Sequence, residues 1–468
     1  MVSSLKNYLN QMHCTKDFAD VSYTTASLTK SNDDKHLLGK LINQGVKIFH
    51  FESHCFNSQA QETVGEVVGQ LVYDNEISRD SLFFCVKGGY FESKYSTGDE
   101  FEFKLDSNFV HNLNASLIRK SIKDSLIRLG VNTLDAYIIQ DPDYFFSRSN
   151  IKTLSLKEQR SLFHEYLIEL FFVLENEVQE NRINAYGISF DTFIFNKNFS
   201  DLFNFSEFFK LLNEKISNHH FLIFECPFNI VDSSLAVKHK GISFFEQLRS
   251  HNVFVFTNRP FLTFFKNMSF LLTEYSEPED ISIMEIEDMI ASGIELEQHL
   301  KSQLSEFEEI ENEVDYLVFF EQIANYFDVS KGILTFQNII QKGIFPAVEQ
   351  YMNLISEKPY LIKINDQIDT YFSQFNLIIR SMSNYLMLIH NSEISVFKSK
   401  LQDCNKNYVS DFQLKLLLLS AYINTPEISC VILSVESEDD LALLDSFNNK
   451  NTLGRINWDQ LNLDINDY

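Results

Sequence analysis

Among the side chains of the first ninety residues able to hold or move a proton, three stand at or just beyond the ends of apolar runs: His50, Cys55 and Lys87. His50 lies near the end of an apolar run, Val46 to Phe51, and Cys55 follows five residues later. Lys87 closes a second apolar run, Leu82 to Lys87, and Gln140 directly follows a third, Leu134 to Ile139. A free thiol titrates at about 8.5, and a neighbouring ammonium group lowers that value. A Cys–His–Lys cluster could therefore donate a proton. A glutamine could hydrogen-bond a ligand but could not transfer a proton. The alternative, which we favour, is a buried thiol, a surface or capped histidine, and a lysine that is solvated or paired with a nearby acid.

These residues can meet only if the ends of the apolar runs are neighbours, and the order of elements supports that. Strand-like runs at Val46 to Phe51, Leu82 to Lys87, Leu134 to Ile139, Ile183 to Ser189, Phe221 to Cys226, Val253 to Thr257 and Cys430 to Leu433 follow a β-rich entry at Phe18 to Leu28. Amphipathic helices are expected between them at Asp33 to Asn43, Gln59 to Tyr73, Ala115 to Leu129, Arg160 to Gln179, Leu202 to Ile216, Ile242 to Ser250 and Phe412 to Tyr422, with a last one at Asp439 to Ser446. Short apolar strands alternating with helices indicate parallel βαβ units. Eight such units close into a barrel, although periodicity alone gives the same pattern for an open doubly wound sheet. Polar interruptions at Gly89 to Asn112 and Asp141 to Gln159 follow strand ends, where barrels carry their functional loops.

Between Arg259 and Tyr408 the alternation stops. A stripe of apolar residues from Ile283 to Leu317 reads as a helix, with further helices at Tyr316 to Tyr326, Ile333 to Gln341 and Tyr371 to His390. The stripe drifts from a strict heptad, so packing within its own domain is favoured over self-association. The expected organisation is a barrel over 17–258 and 408–447, a helical insertion over 259–407 after the seventh strand, and a tail over 448–468.

Composition narrows the partners. The 468 residues carry 39 Lys and Arg against 65 Asp and Glu, a formal net charge of −26. That balance argues against nucleic acid and against anionic membrane surfaces. Six cysteines show no CxxC pair or metal-type spacing, as buried thiols in a reducing compartment would not. The first residues show no signal-peptide core and no apolar run is long enough to span a bilayer, so a cytoplasmic location is expected.

The run Gly45-Val46-Lys47-Ile48-Phe49-His50-Phe51-Glu52-Ser53-His54-Cys55, continuing to Gln61-Glu62-Thr63-Val64-Gly65, resembles a segment of the aldo-keto reductases. That segment reads Gly-Ile-Asn-Phe-(Phe/Ile)-Asp-Thr-Ala-x-x-Tyr and then Ser-Glu-x-x-(Leu/Ile)-Gly. The stretch Ser125-Leu126-Ile127-Arg128-Leu129-Gly130, continuing through Leu134-Asp135-Ala136-Tyr137 to Gln140-Asp141-Pro142, is similar to the family's Ser-Leu-x-Arg-Leu-Gly…(Ile/Leu)-Asp-x-Tyr…His-x-Pro. Tyr186-Gly187-Ile188-Ser189, Cys226-Pro227-Phe228-Asn229 and Val431-Ile432-Leu433-Ser434 resemble three later strands, in the family's order. The resemblance implies a (β/α)8 TIM barrel with a large helical insertion between the seventh strand and the last βα unit.

It also implies where chemistry would sit. The family's tetrad of Asp, Tyr, Lys and His falls on His50, Cys55, Lys87 and Gln140, so Lys87 alone is retained. Its cofactor positions fall on Ser189, Glu225 (where Gln is expected), Asn258 (where an aromatic ring stacks on nicotinamide) and Ser434. After Ser434 the chain reads Val435-Glu436-Ser437-Glu438-Asp439-Asp440, carboxylates that would repel a phosphate. The expectation is a barrel impaired as a carbonyl reductase, without NADP or NAD, serving as a binding or scaffold protein. A partner protein at the helical insertion and a small ligand at the barrel mouth are the expected contacts. The alternative is an NAD(P)H-dependent oxidoreductase of an aldehyde or ketone with a rebuilt site.

Overall fold

The computed structural model describes residues 21–24, 31–52, 58–99, 102–265, 268–275, 278–305, 317–356, 365–404, 411–434 and 442. Eight parallel strands close into a barrel: β1 (Val21–Thr24), β2 (Ile48–Phe51), β3 (Phe83–Gly88), β4 (Leu134–Gln140), β5 (Ile183–Ser189), β6 (Phe221–Pro227), β7 (Phe254–Asn258) and β8 (Ile428–Ser434). Their order around the barrel is their order in the chain, and β8 closes the ring by pairing with both β7 and β1. The sheet is closed, as the resemblance implies, and not an open doubly wound one. The insertion falls between β7 and the last helix–strand unit, as expected.

The helices around the barrel begin and end where local chemistry directs. Asn114 accepts from Ser116 N at the start of helix Ala115–Leu129, and Gly130 ends it with a φ of 64°, a conformation that residues with a Cβ rarely adopt. Helix Leu156–Gln179 starts earlier than its apolar periodicity suggests, because Ser155 and Glu158 form a reciprocal capping box. The helix expected over Leu202 to Ile216 is two, Phe199–Leu202 and Phe205–Lys215, the second capped by Asn204 on Glu207 N. The helix expected at Asp439 to Ser446 lies almost wholly outside the described residues.

The many phenylalanines find their use between the strands and this outer layer. Phe203 is buried and lies within 6.4 Å, centroid to centroid, of Phe163, Phe190, Phe205, Phe208, Phe224 and Phe244. Such ring pairs add roughly 0.5–1.5 kcal/mol each beyond area burial.

The segment expected as a polar loop at Gly89 to Asn112 is instead a small antiparallel sheet. Its strands are Tyr90–Glu92, Glu102–Lys104 and Phe109–Asn112, in the order first, third, second. Phe91, Val110 and Leu117 make its core. The strands are too short and too mixed in polarity to show a two-residue period in sequence.

The chain divides into two compact units, Met1–Pro260 with Lys415–Asp464, and Phe261–Leu414 with Ile465–Tyr468. Taken by itself, the second unit holds a hairpin, Leu262–Phe265 with Met268–Leu271, that the sequence does not announce. Its helices are Ile283–Leu304, Phe319–Tyr326, Gly332–Ile339, Phe345–Ser356 and the 40-residue Asn365–Cys404, with a π-helical turn at Ile340–Ile344. Ile286, Leu300, Leu304 and Leu317 of the apolar stripe are buried in this unit's own core. The stripe's helix ends at Leu304, earlier than periodicity suggests. Glu297 on that helix is buried and accepts from Tyr371 Oη at 2.6 Å and Phe320 N at 3.0 Å.

Candidate functional site

Alternation along the strands decides which side chains reach the barrel axis. Ile48, Cys85, Ile138, Ala185, Ile223, Phe256 and Ile432 pack together in one apolar layer. Moving two residues on along each strand, or four in β5, gives His50, Lys87, Gln140, Ser189, Glu225, Asn258 and Ser434. These residues share the inward register at the C-terminal end of the strands, the end where barrels place their functional groups. Gln140 pairs with Ser189, and Ser189 with Glu225, across β4, β5 and β6, which sets those three at one level.

Glu225 is the centre of this polar layer. Its side chain is fully buried. Its Oε2 accepts from His50 Nε2 at 2.7 Å, and its Oε1 accepts from Lys87 Nζ at 2.8 Å and from Asn258 Nδ2 at 2.7 Å. Lys87, only 2% exposed, also lies 3.0 Å from Glu52 Oε1. Gln140 Nε2 donates to Glu52 Oε2 at 3.3 Å, extending the chain of contacts to β4.

The charges follow from this geometry. Burial by itself would push the Glu225 carboxyl up, but the neighbouring His50 and Lys87 outweigh it and hold the group far below the usual carboxylate range. Burial would likewise lower the Lys87 ammonium, and Glu225, then Glu52 and Asp191, more than reverse it. Near neutral pH the lysine stays charged and the glutamate ionised. The lysine's donors are directed at two carboxylates. The arrangement therefore organises charge around Glu225.

A second set of contacts crosses the rim just outside this layer. Asp141 directly follows β4 with a left-handed φ of 46°, although a proline comes next. Its Oδ2 accepts from Tyr90 Oη at 2.5 Å and its Oδ1 from Asp191 N at 2.8 Å. Arg259, with a φ of 54°, donates to Asp191 Oδ2 at 2.6 Å. Burial, and then the nearby Asp191 and Asp143, raise the Asp141 carboxyl well above its ordinary value. His111 donates from Nε2 to the Gln140 carbonyl at 2.8 Å and stacks at 4.5 Å on Tyr144. Burial pulls the His111 imidazole down to about 4.

The structure thus joins His50, Lys87, Gln140, Glu225 and Asn258 in one network. Ser189 shares their register, with its Oγ buried and making no hydrogen bond. Ser434 ends β8 exposed, its backbone paired with Thr24. Cys55 lies outside the described residues, as do the carboxylates after Ser434. One expectation is overturned: His50 is not a surface histidine but a buried donor to Glu225. The sequence could not show this, because the partner is 175 residues away. Glu52, Tyr90, Asp141, Asp191 and Arg259 were not picked out from the sequence. Glu52 carried a usable signal, since it stands two residues beyond His50 and shares its inward register.

Among the described residues no cluster of three or more His, Cys, Asp or Glu could hold a metal ion, and no helix is long and apolar enough to cross a membrane. Fold and mouth together define an eight-stranded parallel barrel with a polar layer at its C-terminal end. Residues 37–197 match the model of the aldo/keto reductase family. No curated protein matches the chain. Among solved structures, the holo form of an aldo-keto reductase from Bacillus halodurans is 15% identical, with a TM-score of 0.33, over 58% of this chain and 72% of that one. A protein from Pseudomonas aeruginosa described as an aldo-keto reductase is 15% identical, with a TM-score of 0.32, over 51% of this chain and 72% of that one. Neither likeness bears on the chemistry of the mouth.

Proposed function

We propose that this barrel has given up carbonyl reduction and serves as a binding or scaffold protein. One observation carries the reading: Lys87, the retained member of the family's tetrad, is locked between Glu225 and Glu52. Aldo-keto reductases use a nicotinamide dinucleotide, and the residues present do not fit one. The position where the family presents a neutral glutamine holds an ionised carboxylate, Glu225. The donors that could face a polar ring substituent, Lys87 and the Asn258 amide, are directed at that carboxylate. The sequence after Ser434 holds four carboxylates, Glu436, Glu438, Asp439 and Asp440, at positions where the family resemblance implies a phosphate contact. The acidic surface and the helical unit between β7 and the last helix–strand unit offer contact area to a protein partner. Titration with NADPH and NADH, followed by quenching of intrinsic fluorescence, tests this reading. No quenching is expected, and micromolar binding of either nucleotide would overturn it.

A second reading, an oxidoreductase with a rebuilt site, is favoured by one observation. Ser189 Oγ and Asn258 Oδ1 are buried atoms without a hydrogen bond, and such atoms ask for a partner. It predicts nicotinamide-dependent turnover of some aldehyde or ketone that Lys87→Met abolishes. Absence of turnover across a broad carbonyl panel counts against it.

A further inference from the structure

We propose that the mouth of the barrel is a carboxylate-binding site whose occupant is the protein's own Glu225. Donors from three different strands converge on this one group: His50 from β2, Lys87 from β3 and Asn258 from β7, at 2.7, 2.8 and 2.7 Å. That is the donor pattern with which a protein grips an anion, and the contacts are charge-assisted and shielded from water. The cradle has a support of its own. Lys87 is also held by Glu52, which in turn is braced by Gln140. Lys87 therefore does not depend on Glu225 alone for its position. Neither His50, at 0% exposure, nor Lys87, at 2%, opens to solvent, so an external anion has no place while the side chain is there.

The fit also defines the ligand. Truncation of Glu225 at Cβ removes a CH2–COO− unit, which is acetate less one hydrogen. The vacated space would be bounded by one ammonium, one imidazole N–H and one amide N–H. The ligand class is a two-carbon monocarboxylate. A neutral amide of the same shape would leave the buried lysine with Glu52 as its remaining counter-charge, one carboxylate fewer than the site is built around. This inference rests on the reading of the barrel as one that has left carbonyl chemistry, and extends it: the mouth is filled from within. The test reads carboxylate binding and is blind to nicotinamide, so the two can fail separately.

The full-length Glu225→Ala variant is compared with the unaltered chain by thermal unfolding in matched sodium acetate, sodium chloride and acetamide. Ligand binding to the folded state alone raises its stability with concentration. Acetate at tens of millimolar is expected to raise the variant's melting temperature by several degrees over chloride. Acetamide should not do so, propionate should do so less, and the unaltered chain should not respond to any of them. A variant indifferent to acetate, or equally responsive to acetamide, overturns the proposal. Should Glu225→Ala fail to fold, Glu225→Gln decides, because it keeps the shape and removes the charge. It is expected to melt lower than the unaltered chain, and a melting temperature equal to that of the unaltered chain overturns the proposal.

Discussion

A buried lysine between two carboxylates behaves differently from a catalytic one, and the difference is measurable. Replacing Lys87 with Met leaves Glu225 fully buried with one cation fewer, and removing one partner of such a pair costs roughly 3–5 kcal/mol. We expect the midpoint of denaturant unfolding to fall by that much with an unchanged slope. His111 makes a separate prediction. Its pKa is about 4 in the folded chain against 6.5 when unfolded, so the folded state resists protonation. The associated stability is present above about pH 6.5 and is lost as pH falls toward 4, a swing of about 3 kcal/mol at roughly 1.4 kcal/mol per unit. His111→Gln should flatten stability over that window, read as melting temperature against pH. A profile as steep as that of the unaltered chain would show that another group dominates the acid limb.

At the scale of elements, two glycines of helix Ser58–Tyr73 make a matched pair. A Cβ on Gly65 would lie 2.6 Å from the carbonyl oxygen of Arg128 in helix Ala115–Leu129, whereas a Cβ on Gly69 would have nothing within 4 Å. Gly65→Ala forces two backbones apart and should cost about 1–3 kcal/mol. Gly69→Ala should stabilise the helix by about 0.5–1 kcal/mol. Chemical denaturation of the two variants side by side checks both signs. The contrast also shows what the sequence could disclose. The seven strands from β2 to β8 could be placed from their apolar runs, and β1 within a broader β-rich entry. Most helices could be placed from their period, because those signals are local. The three short strands between Tyr90 and Asn112 could not, since their pairing is cross-strand and their faces mixed. The site was half legible. The ends of the apolar runs and the family resemblance singled out His50, Lys87, Gln140 and Glu225, but which of them touch depends on levels set by strand register. Hence His50 was misjudged and Glu52 passed over.

For the whole molecule, the dominant long-range term is self-repulsion from a net charge of −26. Added salt screens such repulsion, with a Debye length of about 10 Å at 0.1 M. Raising sodium chloride from about 20 to about 200 mM should lift the melting temperature by a few degrees. A flat or falling response would mean that local ion pairs such as Arg79–Asp135 and Arg259–Asp191 outweigh the global charge. The position of β8 has a consequence during synthesis. The strand that must join β7 to β1 begins at Ile428, while β7 ends at Asn258. At roughly 5–20 residues per second, a ribosome needs about 10–30 s to make the intervening chain. For that interval the nascent sheet carries seven strands with two open edges, each a template for pairing with another chain. The helices from Ile283 to Cys404 are made within the same interval, so they are available before the ring can shut.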